Sequence, residues 1–276
     1  MGPPCHALLA PRAWLTASLL VFVFLMFQQL VDRLVYYPMP YPQGDWNLQT
    51  QAGAQDLWLT AQDGIRLNAW WFPKPGSPFA TLFLHGNAGN VTHRIDHADA
   101  VQSAGSALLV VDYRGYGKSN GHPSERGLGL DADAGYEALR KLGYHPHQVL
   151  LHGESLGTAV AVELASRRPC AGLILESPLS SLGDIASTVL PLIGPLVARG
   201  FNTKTIIKRV RTPLLVIHGD ADEIVPFSQG EAVFAAATAP KEFWRIPGAH
   251  HNDLLHFAGD RYVPRLRAFY DSVLTP

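Results

Sequence analysis

The sequence predicts an α/β fold: a mostly parallel, eight-stranded sheet covered by helices on both faces. Short unbroken Val/Leu/Ile runs alternate along the chain with helix-length stretches, and strands that are apolar throughout are those buried on both sides. The segment Gly153-Glu154-Ser155-Leu156-Gly157 joins one such run, Val149-Leu150-Leu151, to a helix-prone run of small residues, Thr158-Ala159-Val160-Ala161. The residues with chemistry to offer fall just past predicted strands, the edge at which open α/β sheets bind ligands.

The 276 residues fit one domain with an N-terminal appendage. Apolar residues make up 47% and charged residues 16%, enough for a large core. Lys+Arg is 22 against Asp+Glu 23, and no basic run occurs, so nucleic acid is not an expected partner. Residues 13–31 are nearly continuously apolar, and 19 residues span roughly 28 Å as a helix, just enough to cross a bilayer core. No small-residue cleavage site follows in Phe27-Gln28-Gln29-Leu30-Val31-Asp32-Arg33. Residues 1–33 therefore read as an uncleaved, single-pass transmembrane anchor rather than a leader. Arg12 ahead of the run leans towards a domain on the non-cytoplasmic side. Residues 34–55 read as a linker, in which Tyr36-Tyr37-Pro38-Met39-Pro40-Tyr41-Pro42 forms a stiff spacer or packs on the domain.

The folded domain is expected over 56–276. Residues 57–60 and 65–72 flank Asp63-Gly64 as a β-hairpin. Strands follow at 80–85, 107–112, 149–152, 172–176, 214–218 and 242–246, with helices at 91–103, 124–142, 155–167, 228–236 and 262–273. Residues 177–212, between the sixth and seventh strands, form a short cap insertion.

Gly153–Gly157 matches G-x-S-x-G with a strand before and a helix after, the context that gives this motif its meaning. So tight a turn strains its apical residue and demands small neighbours two positions away on either side. Gly153 and Gly157 meet that demand, setting the Ser155 hydroxyl at a helix N-terminus beside the Leu156 N–H. His85-Gly86-Asn87-Ala88-Gly89-Asn90 ends the third strand, and its glycines would let the Asn87 N–H face that of Leu156 as an oxyanion hole. The plainer reading is an ordinary strand-to-helix turn. Asp112-Tyr113-Arg114-Gly115-Tyr116-Gly117-Lys118-Ser119 lacks phosphate-loop spacing, so Asp112 and Arg114 are read as loop braces joined by hydrogen bonds and an ion pair. His218-Gly219-Asp220-Ala221-Asp222-Glu223 offers three carboxylates, one of which would orient a catalytic imidazole. Asp222 is the first choice, Asp220 the second, and Glu176, ending the sixth strand, the third. Gly248-Ala249-His250-His251-Asn252-Asp253 follows the last strand and supplies a base in the chain order serine, acid, histidine. Pattern alone does not separate His250 from His251.

These stretches resemble the α/β-hydrolase superfamily. They are most similar to its small membrane-anchored serine hydrolases, a group that includes lipid-ester and depalmitoylating thioester hydrolases. The likeness runs from about Leu34 to the C-terminus. It rests on Leu34-Val35-Tyr36-Tyr37-Pro38, the loops at 85–90 and 112–117, Gly153–Gly157, 218–222 with Val225-Pro226, and His251-Asn252-Asp253. It implies an α/β-hydrolase fold with a minimal cap, Ser155 as nucleophile, Asp222 as acid and His251 as base. Members usually carry a small residue where this chain has His250. The cysteine-rich acylation cluster of the depalmitoylating members is absent, Cys5 standing alone at the N-terminus.

The expected reaction is hydrolysis of a carboxylic ester or thioester through an acyl-enzyme, with the Asn87 and Leu156 N–H groups on the oxyanion. A small-molecule or lipid-like acyl ester is the expected substrate, and the apolar stretch 189–197 either lines an acyl pocket or packs on the sheet edge. A serine peptidase or acyltransferase on the same triad, and a non-catalytic membrane-tethered binding protein, are the alternatives. No cofactor or metal is expected: among 12 histidines, His93 and His97 stand four apart but flank Arg94, not the glutamate of H-E-x-x-H. Cys5 and Cys170 suggest no disulfide framework.

Overall fold

The computed structural model describes residues 35–189 and 200–274. Its main sheet has eight strands: β1 Gln55–Thr60, β2 Arg66–Phe72, β3 Ala80–Leu84, β4 Ala107–Val111, β5 Val149–Glu154, β6 Gly172–Glu176, β7 Leu214–Gly219 and β8 Lys241–Ile246. Their order across the sheet is β8-β7-β6-β5-β3-β4-β2-β1. The β1–β2 and β2–β4 pairings are antiparallel and the others parallel. The apolar run of each inner strand has its physical reason here: β3, β4 and β6 are buried at every position, whereas the edge strand β8 is partly or fully exposed at every position before Ile246.

The helices that cover the sheet are α1 Ile95–Ala104, α2 Glu125–Lys141, α3 Leu156–Ala165, α5 Phe227–Ala236 and α6 Tyr262–Leu274, while α4 Leu182–Val189 lies in the insertion after β6. Successive strand side chains point to opposite faces. Phe83, Leu108, Val110, Leu150, Ile174, Leu215 and Ile217 face Ala98 and Val101 of α1 and Leu266 and Phe269 of α6 in one continuous core. Gly135 lets α2 approach the opposite face, since a Cβ there would lie 2.8 Å from Leu82 and 2.9 Å from Val111.

Two local features depart from the expected elements. Residues 91–103 do not form one helix: a 3-10 turn, Val91–His93, precedes α1, and Arg94 at φ −117° separates them. The Asn90 side chain, accepting from the Thr92 N–H at 3.0 Å, tightens that first turn. Tyr37–Pro38 pairs in parallel with Ala88–Gly89 as a small second sheet. Beyond it the Tyr41 N–H donates to Gly117 at 2.7 Å, and Trp46 meets Trp70 edge-on at 5.8 Å. From Tyr37 onward the described residues form one compact unit. The expected membrane anchor and most of the apolar stretch at 189–197 lie outside the described residues. Among the described residues, no helix is long and apolar enough to cross a membrane.

Candidate active site

The strand-to-helix turn after β5 shapes the site. Ser155 sits there at φ 50°, ψ −117°, a conformation costing on the order of 1–3 kcal/mol for a residue with a Cβ. The surrounding structure holds it: the Ser155 N–H donates to the Glu176 carbonyl at 2.9 Å, and the Ser155 carbonyl accepts from the Thr158 N–H and hydroxyl at 2.9 and 2.6 Å. Both flanking glycines are sterically required. A Cβ on Gly153 would lie 2.5 Å from the Gly157 carbonyl oxygen, and one on Gly157 would lie 1.8 Å from that of Leu84. The second contact shows that Gly157 also lets α3 press against the end of β3.

The structure brings Ser155, His251 and Asp222 together. His251 Nε2 lies 3.0 Å from Ser155 Oγ, and His251 Nδ1 lies 2.8 Å from Asp222 Oδ2. A neutral imidazole that donates from Nδ1 to the carboxylate presents its Nε2 lone pair to the hydroxyl, the tautomer that can accept the serine proton. Asp222 lies in the loop after β7, where Oδ1 accepts the Ile224 and Val225 N–H groups at 3.0 and 2.7 Å and His218 Nε2 lies 3.3 Å from Oδ2. Burial would raise this carboxyl, but the His218 and His251 hydrogen bonds outweigh it and hold Asp222 below the usual carboxylate range.

The rival candidates stand elsewhere. His250 is largely exposed and pairs with Glu223 at 3.0 Å. Asp220 accepts from Arg245 at 2.7 Å and from the Gly248 N–H at 2.6 Å, bracing a surface turn. Glu176 is buried and takes His152 Nε2 at 2.7 Å, His97 Nε2 at 3.0 Å and the Tyr262 hydroxyl. Burial would raise its carboxyl, but the two imidazoles overcome this and keep it low. Burial likewise opposes the charged form of His97, and Glu176 overrides it, raising His97.

Asp112 and Arg114 do brace loops, but not as a pair with each other. Arg114 binds Asp131 at 2.8 Å and Asp63 at 2.7 Å, whereas Asp112 accepts the Val91 N–H at 2.8 Å and lies 3.6 Å from His85 Nε2. Burial pushes Asp112 up to about 8 and His85 down to about 3. His85 Nδ1 lies 2.8 Å from the Gly86 carbonyl oxygen, which shares a peptide group with the Asn87 N–H. Gly86 itself lies against the nucleophile, a Cβ there falling 3.4 Å from Ser155 Cβ. Among the described residues no group of three or more His, Cys, Asp or Glu side chains is arranged to hold a metal ion.

A cavity of about 390 Å³ opens beside Ser155 and His251. Sequence reasoning missed most of its wall, including Glu154, Arg94 and Ser177. Arg94 Nε pairs with Glu154 at 2.8 Å. The one available signal was Glu154 inside the serine motif; Arg94 comes from a different element with no pattern linking the two.

A strand order of this kind, with a serine at a strand-to-helix turn and an imidazole and carboxylate converging on it, defines a hydrolase-type α/β protein. The chain belongs to the α/β-hydrolase superfamily. The family model described as serine aminopeptidase, S33, matches residues 78–207. An uncharacterized Mycobacterium tuberculosis protein is 40% identical over 254 residues, covering 90% of this chain and 89% of that one. Protein bem46 of Schizosaccharomyces pombe is 31% identical, covering 92% and 90%. The mouse alpha/beta hydrolase domain-containing protein 17C is 37% identical over 202 residues, and the match spans only 60% of that longer chain. Among solved structures, the Pyrococcus furiosus esterase Pf2001 superposes with a TM-score of 0.72 at 20% identity over 86% of this chain and 98% of that one. Est1E of Butyrivibrio proteoclasticus, solved with ferulic acid bound, gives 0.66 at 23% identity, covering 80% and 100%.

Proposed function

We propose that this protein is a serine hydrolase of carboxylic esters or thioesters. The observation that carries the reading is the continuous hydrogen-bond path from Asp222 through His251 to the strained Ser155. His251 takes the Ser155 proton as Oγ attacks the acyl carbonyl, and Asp222 stabilises the imidazolium. The oxyanion is held by the N–H groups of Asn87 and Leu156. Leu156 opens α3, where first-turn N–H groups have no carbonyl within the helix to bind. His251 then returns its proton to the leaving alcohol or thiol, and water, activated by the same imidazole, cleaves the acyl-serine. The apolar run at 13–31 supports a membrane tether, which suits lipid-like substrates, and Arg12 ahead of it supports a domain on the non-cytoplasmic side. Carbonate extraction of membranes from cells expressing the full chain, compared with a chain lacking residues 1–33, tests that tether.

Labelling by a fluorophosphonate and turnover of p-nitrophenyl butyrate test the chemistry. Both should occur in the native chain and vanish in Ser155→Ala; labelling that persists in the variant would overturn the assignment. The family description favours one second reading, hydrolysis of peptide bonds at an N-terminus. Aminoacyl p-nitroanilides turned over faster than p-nitrophenyl esters of similar size would establish it instead.

A further inference from the structure

Resting on the ester-hydrolase reading above, we infer that the alcohol released from the substrate is hydroxyl-bearing rather than alkyl, and that it sits in the cavity bounded by Ser155, His251, Glu154 and Ser177. The first ground is direction. The imidazole that takes the serine proton must hand one to the leaving oxygen as the carbon–oxygen bond breaks, so the leaving group lies on the imidazole's side. The cavity is that side: its wall runs from Ser155 to His251 and along the following residues to His256.

The second ground is the chemistry of the wall. Glu154, directly before the nucleophile, spends one carboxylate oxygen, Oε2, on Arg94 at 2.8 Å and on the Gly86 N–H at 3.3 Å. Among the described residues no donor reaches its other oxygen, and the side chain is 25% exposed. Ser177 is buried at φ 47°, and its hydroxyl has no hydrogen-bond partner. Among the described residues around the cavity only Leu254 and Leu255 are aliphatic. An alkyl leaving group would displace water from the exposed Glu154 carboxylate, return no hydrogen bond to it, and leave the Ser177 hydroxyl unpaired. A polyol returns them: one hydroxyl donates to the free oxygen of Glu154, and another meets Ser177. Because Arg94 already neutralises Glu154, the site suits a neutral donor rather than an ammonium group.

The test compares kcat/KM for glycerol monobutyrate and pentyl butyrate, which share the acyl group and match in heavy atoms, with butyrylcholine as a cationic third. The glycerol ester is expected to be favoured over the pentyl ester by about tenfold or more, as for hydrogen bonds to a charged acceptor. Ser177→Ala and Glu154→Gln should each shrink that ratio about threefold or more. The change in ratio separates recognition from the intrinsic reactivity of glycerol esters, which no mutation alters. A pentyl ester that is cleaved as well or better, variants that slow both esters in parallel, or a faster choline ester would each overturn the inference. Absence of Ser155-dependent turnover on any of these esters and on p-nitrophenyl butyrate is a distinct outcome, which removes the ester-hydrolase reading and this inference with it.

Discussion

His250 and His251 are chain neighbours with opposite surroundings. His251 lies between Asp222 and Ser155 with 9% of its side chain exposed, whereas His250 is turned outward to Glu223, with 55% of its side chain exposed. Removing the base of a serine relay costs about six orders of magnitude in kcat, whereas a surface ion pair contributes about 1 kcal/mol or less. His251→Ala is expected to abolish measurable p-nitrophenyl ester turnover, and His250→Ala to stay within about threefold of the native rate. The reverse result would transfer the role of base to His250. At this scale the motifs that hold Ser155, Asp222 and His251 were legible because each lies past a strand end, although pattern alone left His250 level with His251 and offered Asp220 and Glu176 beside Asp222. The Glu176 cluster was not. His97, His152 and Tyr262 come from α1, β5 and α6, and no local spacing relates residues joined only by folding. The same holds for Arg114, whose partners Asp131 and Asp63 lie in α2 and the β1–β2 turn.

Among the elements, the turn between β5 and α3 leaves no room at Gly157. A Cβ there would overlap the Leu84 carbonyl oxygen at 1.8 Å, and backbone cannot yield as the tip of a side chain can. Gly157→Ala is therefore expected to destabilise the domain by about 3 kcal/mol or more in urea unfolding. Gly129 in α2 is the contrast: its nearest neighbour is the flexible end of Glu163 at 3.4 Å. Gly129→Ala should stabilise by about 0.5–1 kcal/mol through helix propensity. Equal effects at the two positions would refute the packing argument at Gly157. The main strands and helices were legible for the reason these glycines matter: burial on both faces leaves unbroken apolar strands, and close helix approach demands small residues. The pairing of Tyr37–Pro38 with Ala88–Gly89 was not, since two-residue strands are too short to show a period. The break at Arg94 escaped because Asn90 acts through a side-chain hydrogen bond inside a stretch of helical composition.

Over the whole molecule, buried titratable groups gather at one edge of the sheet, so its stability should depend on pH in a specific way. The slope of unfolding free energy against pH has the sign of protons bound unfolded minus protons bound folded. His85 is lowered by burial from 6.5 to about 3, so between those values the unfolded chain holds more protons and stability rises with pH. Asp112 is raised by burial from 3.8 to about 8, so across that span the folded chain holds more and stability falls. The two oppose each other from about pH 4 to 6.5, leaving little net slope. Above 6.5 only the Asp112 loss continues, joined by His97, whose raised folded value means that its contribution is complete below 6.5 and lost above it. Asp222 and Glu176, both held low, contribute stability that is lost only as pH falls below the ordinary carboxylate range. Urea unfolding at successive pH values should therefore show a plateau between about 4 and 6.5 and a decline from 6.5 to 8. In Asp112→Asn the opposing slope is gone, so the plateau becomes a rise driven by His85, and the later decline shrinks to the share of His97. A native chain whose stability holds constant or climbs from pH 6.5 to 8 would mean that Asp112 is already ionised at neutral pH, and that burial at this edge is offset by charges other than those facing it.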